Sequence, residues 1–176
     1  PTTDPDDDKK KKTHLQKQQE SYDKQFEELG AELEIGKITQ AEYNKALGEL
    51  NIKMYAQAKG TGDKEVLVSQ YFQNLKTAAE KAIRNQDKNA ALVEFEKVQK
   101  DYNTKVREAQ AQQAKGLISQ KELNSNIVSL SVEAAKSAAG IKGIGDEADV
   151  FISVMQLNAK LLATAVKIKP RDTTFD

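Results

Sequence analysis

A turn signal that occurs twice restricts this chain more than anything else in it. Gly36-Lys37-Ile38-Thr39-Gln40-Ala41-Glu42-Tyr43 is answered by Gly116-Leu117-Ile118-Ser119-Gln120-Lys121-Glu122-Leu123, 80 positions further on. Gly36 and Gly116 can take the left-handed conformation that ends a helix. Thr39 and Ser119 stand where the next helix needs an N-cap, and Glu42 and Glu122, three positions on, complete a capping box. Ile38 before the cap and Tyr43 at the fourth helical position can form a hydrophobic staple, and Ile118 and Leu123 hold the same places. So short a link turns the flanking helices back on each other as an antiparallel hairpin, or at least kinks the chain sharply.

The segments around these turns repeat apolar residues every three or four positions, the period of an amphipathic helix. Leu15, Tyr22, Phe26, Leu29 and Leu33 form one stripe, and Tyr43, Leu47, Leu50 and Met54 a second. Val68, Phe72, Leu75, Ala79 and Ala82 form a third, and Phe95, Tyr102, Val106 and Ala109 a fourth. Leu123, Ile127, Leu130 and Ala134 form a fifth, and Val150, Val154, Leu157, Leu161 and Ile168 the sixth and most apolar. The intervening Gln, Lys, Glu and Ala favour helix and leave a solvated face. No segment alternates as a strand does, so an all-α fold is predicted.

The 80-residue offset extends beyond the turns: Tyr22 pairs with Tyr102, Asn44 with Asn124, Leu50 with Leu130 and Gly60 with Gly140. After Gly60 the register slips by three, so that Gly62-Asp63 answers Gly145-Asp146, and each Asp is a candidate N-cap for a third helix. The expected architecture is therefore two copies of a roughly 80-residue three-helix unit, packed as antiparallel hairpins in a coiled-coil-like bundle. The units are expected at 14–86 and 87–169, joined at a weak break over Asn85-Gln86-Asp87-Lys88-Asn89. Residues 1–13 and 170–176 read as linkers: the first is charge-blocked and the second follows Pro170. With no Met at the start, the chain reads as an internal piece of a longer polypeptide.

Composition narrows the chemistry. The 27 basic and 27 acidic side chains cancel, whereas a general nucleic-acid binder carries a basic excess. There is no Cys, which removes disulfides, thiolate metal sites and thiol nucleophiles. His14 is the one histidine and stands beside the linker, so it reads as incidental. Asp4, Asp6, Asp7 and Asp8 resemble the opening of a calcium loop but lack its Gly and its closing Glu. The Gly60–Lys64 and Gly140–Gly145 segments do not match a phosphate-binding loop and read as connectors. Glu27, Glu28, Glu32 and Glu34 form a charged helix face, and Tyr22, Tyr43, Tyr71 and Tyr102 read as core residues with wet edges. No enzyme, cofactor or metal is expected. In the sixth helix Gln156, Asn158, Lys160 and Lys167 interrupt the apolar residues, so burial or self-association is expected there rather than membrane contact.

The two turns, set in long Gln/Lys/Glu/Ala helices, resemble internal regions of bacteriophage and prophage tail tape-measure proteins. Turns of the form Gly, apolar, Ile, Thr or Ser, two residues, Glu, then an aromatic or Leu occur there, and Arg171-Asp172-Thr173-Thr174-Phe175-Asp176 resembles their linkers. That resemblance implies a structural protein that sets tail length and occupies the tail-tube lumen. Its partners would be tail tube, tail tip and assembly chaperones. Its location would be the bacterial cytoplasm during assembly and the virion tail afterwards. The turns are also similar to a short helical-hairpin domain found at the ends of many bacterial proteins. The alternative expectation is accordingly a helical protein-binding or scaffold module of a larger bacterial protein.

Overall fold

The computed structural model describes residues 11–167. Among them every regular element is helical, as the periodicity predicts, in the order α1 (His14–Glu34), α2 (Gln40–Thr61), α3 (Lys64–Leu67), α4 (Gln70–Arg84), α5 (Gln86–Ala114), α6 (Gln120–Ala139) and α7 (Glu147–Lys167). The chain divides between Asn89 and Ala90, inside α5, into two compact units. Each unit has its own core.

In the first unit α1 starts on Thr13, whose side chain accepts from the Gln16 N–H while the Gln16 side chain accepts from the Thr13 N–H. Thr13 therefore belongs to the helix signal rather than to the linker expected over 1–13, and residues 1–10 of that linker, with its Asp cluster, lie outside the described residues. The core gathers Leu50, Met54 and Ala58 of α2, Val66 of α3, and Phe72 and Leu75 of α4. Leu15, Tyr22 and Leu29 of α1 cover it from one side. Gly48 lets α2 and α4 approach closely: a Cβ there would stand 3.3 Å from the Ala82 Cβ.

Several expectations need correction here. Helix α2 runs on through Gly60 to Thr61 and ends at Gly62, which takes φ +62°. Asp63 does cap a helix, accepting from the Glu65 N–H, but that helix is the four-residue α3. A second cap, Ser69, then accepts from the Phe72 N–H and starts α4 on a new axis. Val68 consequently falls at the end of α3 and is 79% exposed, outside the stripe assigned to it, while Val66 is fully buried in its place. The break expected over residues 85–89 is a single residue, Asn85, between α4 and α5.

In the second unit α5, α6 and α7 share two adjoining clusters. Ala91 and Phe95 meet Ala138, Ile141, Ile144 and Ala148, and beyond them Ala134 and Ala135 meet Met155. The Phe151 ring stands edge-on to Phe95 at 5.4 Å and to Tyr102 at 6.4 Å. Small alanines on α6 allow α7 to lie close against it, which selects Ala148, Met155 and Ala159 as the buried face of α7. The stripe singled out in the sequence, Val150, Val154, Leu157 and Leu161, faces out at 71, 45, 55 and 60% exposure. Ile168 lies outside the described residues.

Candidate functional site

The residues picked out in the sequence as turn signals occupy equivalent places in the two units. Gly36 has φ +76° and Gly116 φ +73°. The Lys37 N–H donates to the Glu32 carbonyl at 2.9 Å and the Gly36 N–H to the Leu33 carbonyl at 3.1 Å. The Leu117 N–H donates to Gln112 at 2.9 Å and the Gly116 N–H to Gln113 at 3.0 Å. These paired bonds satisfy the last carbonyls of α1 and α5, which would otherwise lack partners.

On the far side of each turn the cap takes over. Thr39 Oγ1 accepts from the Glu42 N–H, and Glu42 Oε1 accepts from the Thr39 N–H, both at 3.2 Å. Ser119 Oγ accepts from the Glu122 N–H at 3.1 Å and donates to Glu122 Oε1 at 3.3 Å, so its carboxylate arm closes on the hydroxyl. One turn later Gln40 donates to Asn44 at 2.9 Å and Gln120 to Asn124 at 3.0 Å. Ile38, Tyr43 and Ile118 are half-buried and Leu123 is buried.

A second pair of bonds was not anticipated. Tyr22 Oη donates to Asn51 Oδ1 at 2.8 Å, tying α1 to α2. Tyr102 Oη and Ser131 Oγ lie 3.2 Å apart and tie α5 to α6. Both pairs span 29 residues and are related by the same offset of 80. The offset pointed to the tyrosines; Asn51 and Ser131 escaped because they differ in type, although both accept a hydrogen bond. Burial raises the Tyr22 hydroxyl pKa above its ordinary value. Tyr71, edge-on to Tyr22 at 6.2 Å and donating to the Gln18 carbonyl at 3.3 Å, is pushed up to about 12, again chiefly by burial.

Between the paired helices each unit carries an open groove of about 280 Å³. The first is lined by Glu28, Leu29, Glu32, Glu49, Leu50 and Lys53, among others. The second is lined by Lys105, Glu108, Ala109, Gln112, Asn126 and Leu130, among others. Leu50 and Leu130, like Glu28 and Glu108, are related by the offset of 80. The first groove carries more acid than the second, and neither contains a histidine or cysteine.

His14 is not isolated as its sequence context suggested. Folding places the start of α1 against the link between α2 and α3, and His14 Nδ1 lies 2.9 Å from Asp63 Oδ2, an ion pair when the ring is protonated. The Asp63 carboxyl is held below its ordinary pKa, first by the Glu65 backbone N–H and then by His14. Glu27 and Glu28 are exposed on α1, and Glu32 pairs with Lys37 across the turn at 3.6 Å. Among the described residues no group of three or more His, Cys, Asp or Glu is placed to hold a metal ion, and no helix is long and apolar enough to cross a membrane. Comparison with known proteins returns no match, whether to a protein family, to a curated protein or to a solved structure.

Proposed function

We propose that this chain is a structural segment of a bacteriophage or prophage tail tape-measure protein, setting tail length and occupying the lumen of the tail tube. One observation carries the reading: the capped turn recurs after 80 residues with the same two closing backbone bonds and the same cap from a hydroxyl to the N–H three positions on. We take the chain as two copies of a three-helix unit in coiled-coil-like antiparallel packing, the third member being α3 with α4 in one copy and α7 in the other. A protein that encodes a length gains it by adding units of constant size. A helix rises about 1.5 Å per residue, so such a unit laid end to end would span roughly 120 Å. Inside a tube the two glycine turns would have to open, and the compact hairpins would be the state before assembly. Tube, tip and chaperone proteins are then the partners, met in the bacterial cytoplasm and kept in the virion tail.

Deleting residues 37–116 from the parent phage tests this by electron microscopy of tails. Tails shorter by about 120 Å are expected. Tails of unchanged length overturn the measuring role. A second reading, a helical scaffold module that holds a protein segment between hairpins, is favoured by the paired grooves beside Leu50 and Leu130. It requires no tail genes beside the parent gene, whereas the first reading requires them.

A further inference from the structure

We infer that the outer face of α7 is a self-association surface, pairing antiparallel with α7 of a second copy of this chain. The inference goes beyond the tape-measure reading and does not depend on it. Val150, Val154, Leu157 and Leu161 are spaced four, three and four apart, all are exposed, and together they form one seam. That spacing is the alternation of a coiled-coil interface, in which such residues fill holes on a facing helix. The opposite face of α7 is already used: Ala148, Met155 and Ala159 are buried, with Phe151 and Ile152 beside them. Packing within the unit therefore leaves the seam uncovered. A stripe of four large aliphatic side chains is not what an isolated solvated helix face carries.

Charge along α7 selects both the occupant and its direction. Asp146 stands just before the helix and Asp149 in its first turn, and its second half carries Lys160. A second copy running antiparallel sets the acidic start of each helix beside the basic end of the other, twice by symmetry, and opposes the helix dipoles. A parallel copy would stack like charge on like and align the helix dipoles. The antiparallel register that fills the seam places Val150 opposite Leu161 and Val154 opposite Leu157, with Glu147 opposite Thr164. Every apolar member then meets an apolar partner. The seam spans less than two heptads and gives a small interface, so the expected dissociation constant is on the order of 100 micromolar.

Sedimentation equilibrium of the 176-residue chain from about 10 µM to about 1 mM reads the association directly. A monomer–dimer equilibrium is expected, weakened by added salt, and weakened about tenfold or more by Leu157→Asp. Leu157 is exposed, so circular dichroism of that variant should keep the native helix content. A monomer at every concentration, or a dimer that Leu157→Asp leaves intact, would overturn the proposal. Direction is read by disulfide trapping, since the chain has no cysteine of its own. Mixing Val150→Cys with Leu161→Cys should give the mixed disulfide. Each variant alone should stay uncrosslinked, because its two thiols would lie roughly 16 Å apart along the antiparallel pair. Disulfides within each variant alone would mean parallel pairing and would equally sink the assignment.

Discussion

Tyr22 and Tyr102 each hold a hairpin together through one hydroxyl, and the two partners differ in how well they tolerate its loss. Asn51 is 8% exposed and has an amide to satisfy, whereas the fully buried Ser131 can turn its hydroxyl to a carbonyl of its own helix. Tyr22→Phe should therefore destabilise by about 1–2 kcal/mol, and Tyr102→Phe by less, in urea unfolding. Equal losses would mean that the Asn51 amide finds another partner. Tyr71 gives a pH signature. Its pKa rises from 10.0 to about 12 on folding. The folded state thus holds the proton more tightly than the unfolded chain. Its contribution to stability is complete below about pH 10 and is lost as pH climbs through about 12. In unfolding measured from pH 9 to 11.5, the wild type should lose stability more steeply than Tyr71→Phe, in which this proton is absent. The difference between the two proteins is the quantity to read.

Among the elements, the turns depend on backbone conformation more than on contacts. Gly36 has open space around its missing Cβ, yet its φ of +76° is unfavourable for any other residue. Gly30, inside α1, is equally uncrowded and sits in a helix. The same substitution should therefore act with opposite sign at the two sites. Gly36→Ala should cost roughly 1–2 kcal/mol through the left-handed backbone, and Gly30→Ala should gain about 0.5–1 kcal/mol through helix propensity. Paired thermal melts decide it: a Gly36→Ala protein as stable as wild type would mean the turn can be rebuilt without left-handed geometry. Gly48 is different again, since there a neighbour, Ala82, rather than φ, demands the missing side chain.

Across the molecule, separate cores imply separable stability. Phe72 is buried among Leu50, Met54 and Leu75, with the Tyr55 ring stacked at 5.5 Å. Phe72→Ala should cost about 3–5 kcal/mol by leaving a cavity. Amide exchange should accelerate over residues 11–89 and stay unchanged at Ala138, Ile141 and Met155. Acceleration in both units alike would show that they unfold as one. Within the second unit the core is completed through alanines on α6 and through Phe95 and Phe151, and none of the described helices of that unit covers Leu157 and Leu161.

The turns, their caps and the all-helical character were legible in the chain because each rests on neighbours a few residues apart: a glycine's φ, a hydroxyl meeting an N–H three positions on, a spacing of three or four. The recurrence at 80 was legible for the same reason, since local signals repeat as letters. What the amino acids in order could not disclose were choices among faces. Val66 rather than Val68 went inside because Ser69 restarted the helix on another axis. Met155 rather than Leu157 went inside because alanines on α6 accept a helix only where α7 is small or slender. Asn51 and Ser131 became partners of tyrosines 29 residues away. Periodicity shows that a helix has an apolar stripe; which of two stripes is buried depends on the shape of whatever packs against it, and that shape exists only once the chain has folded.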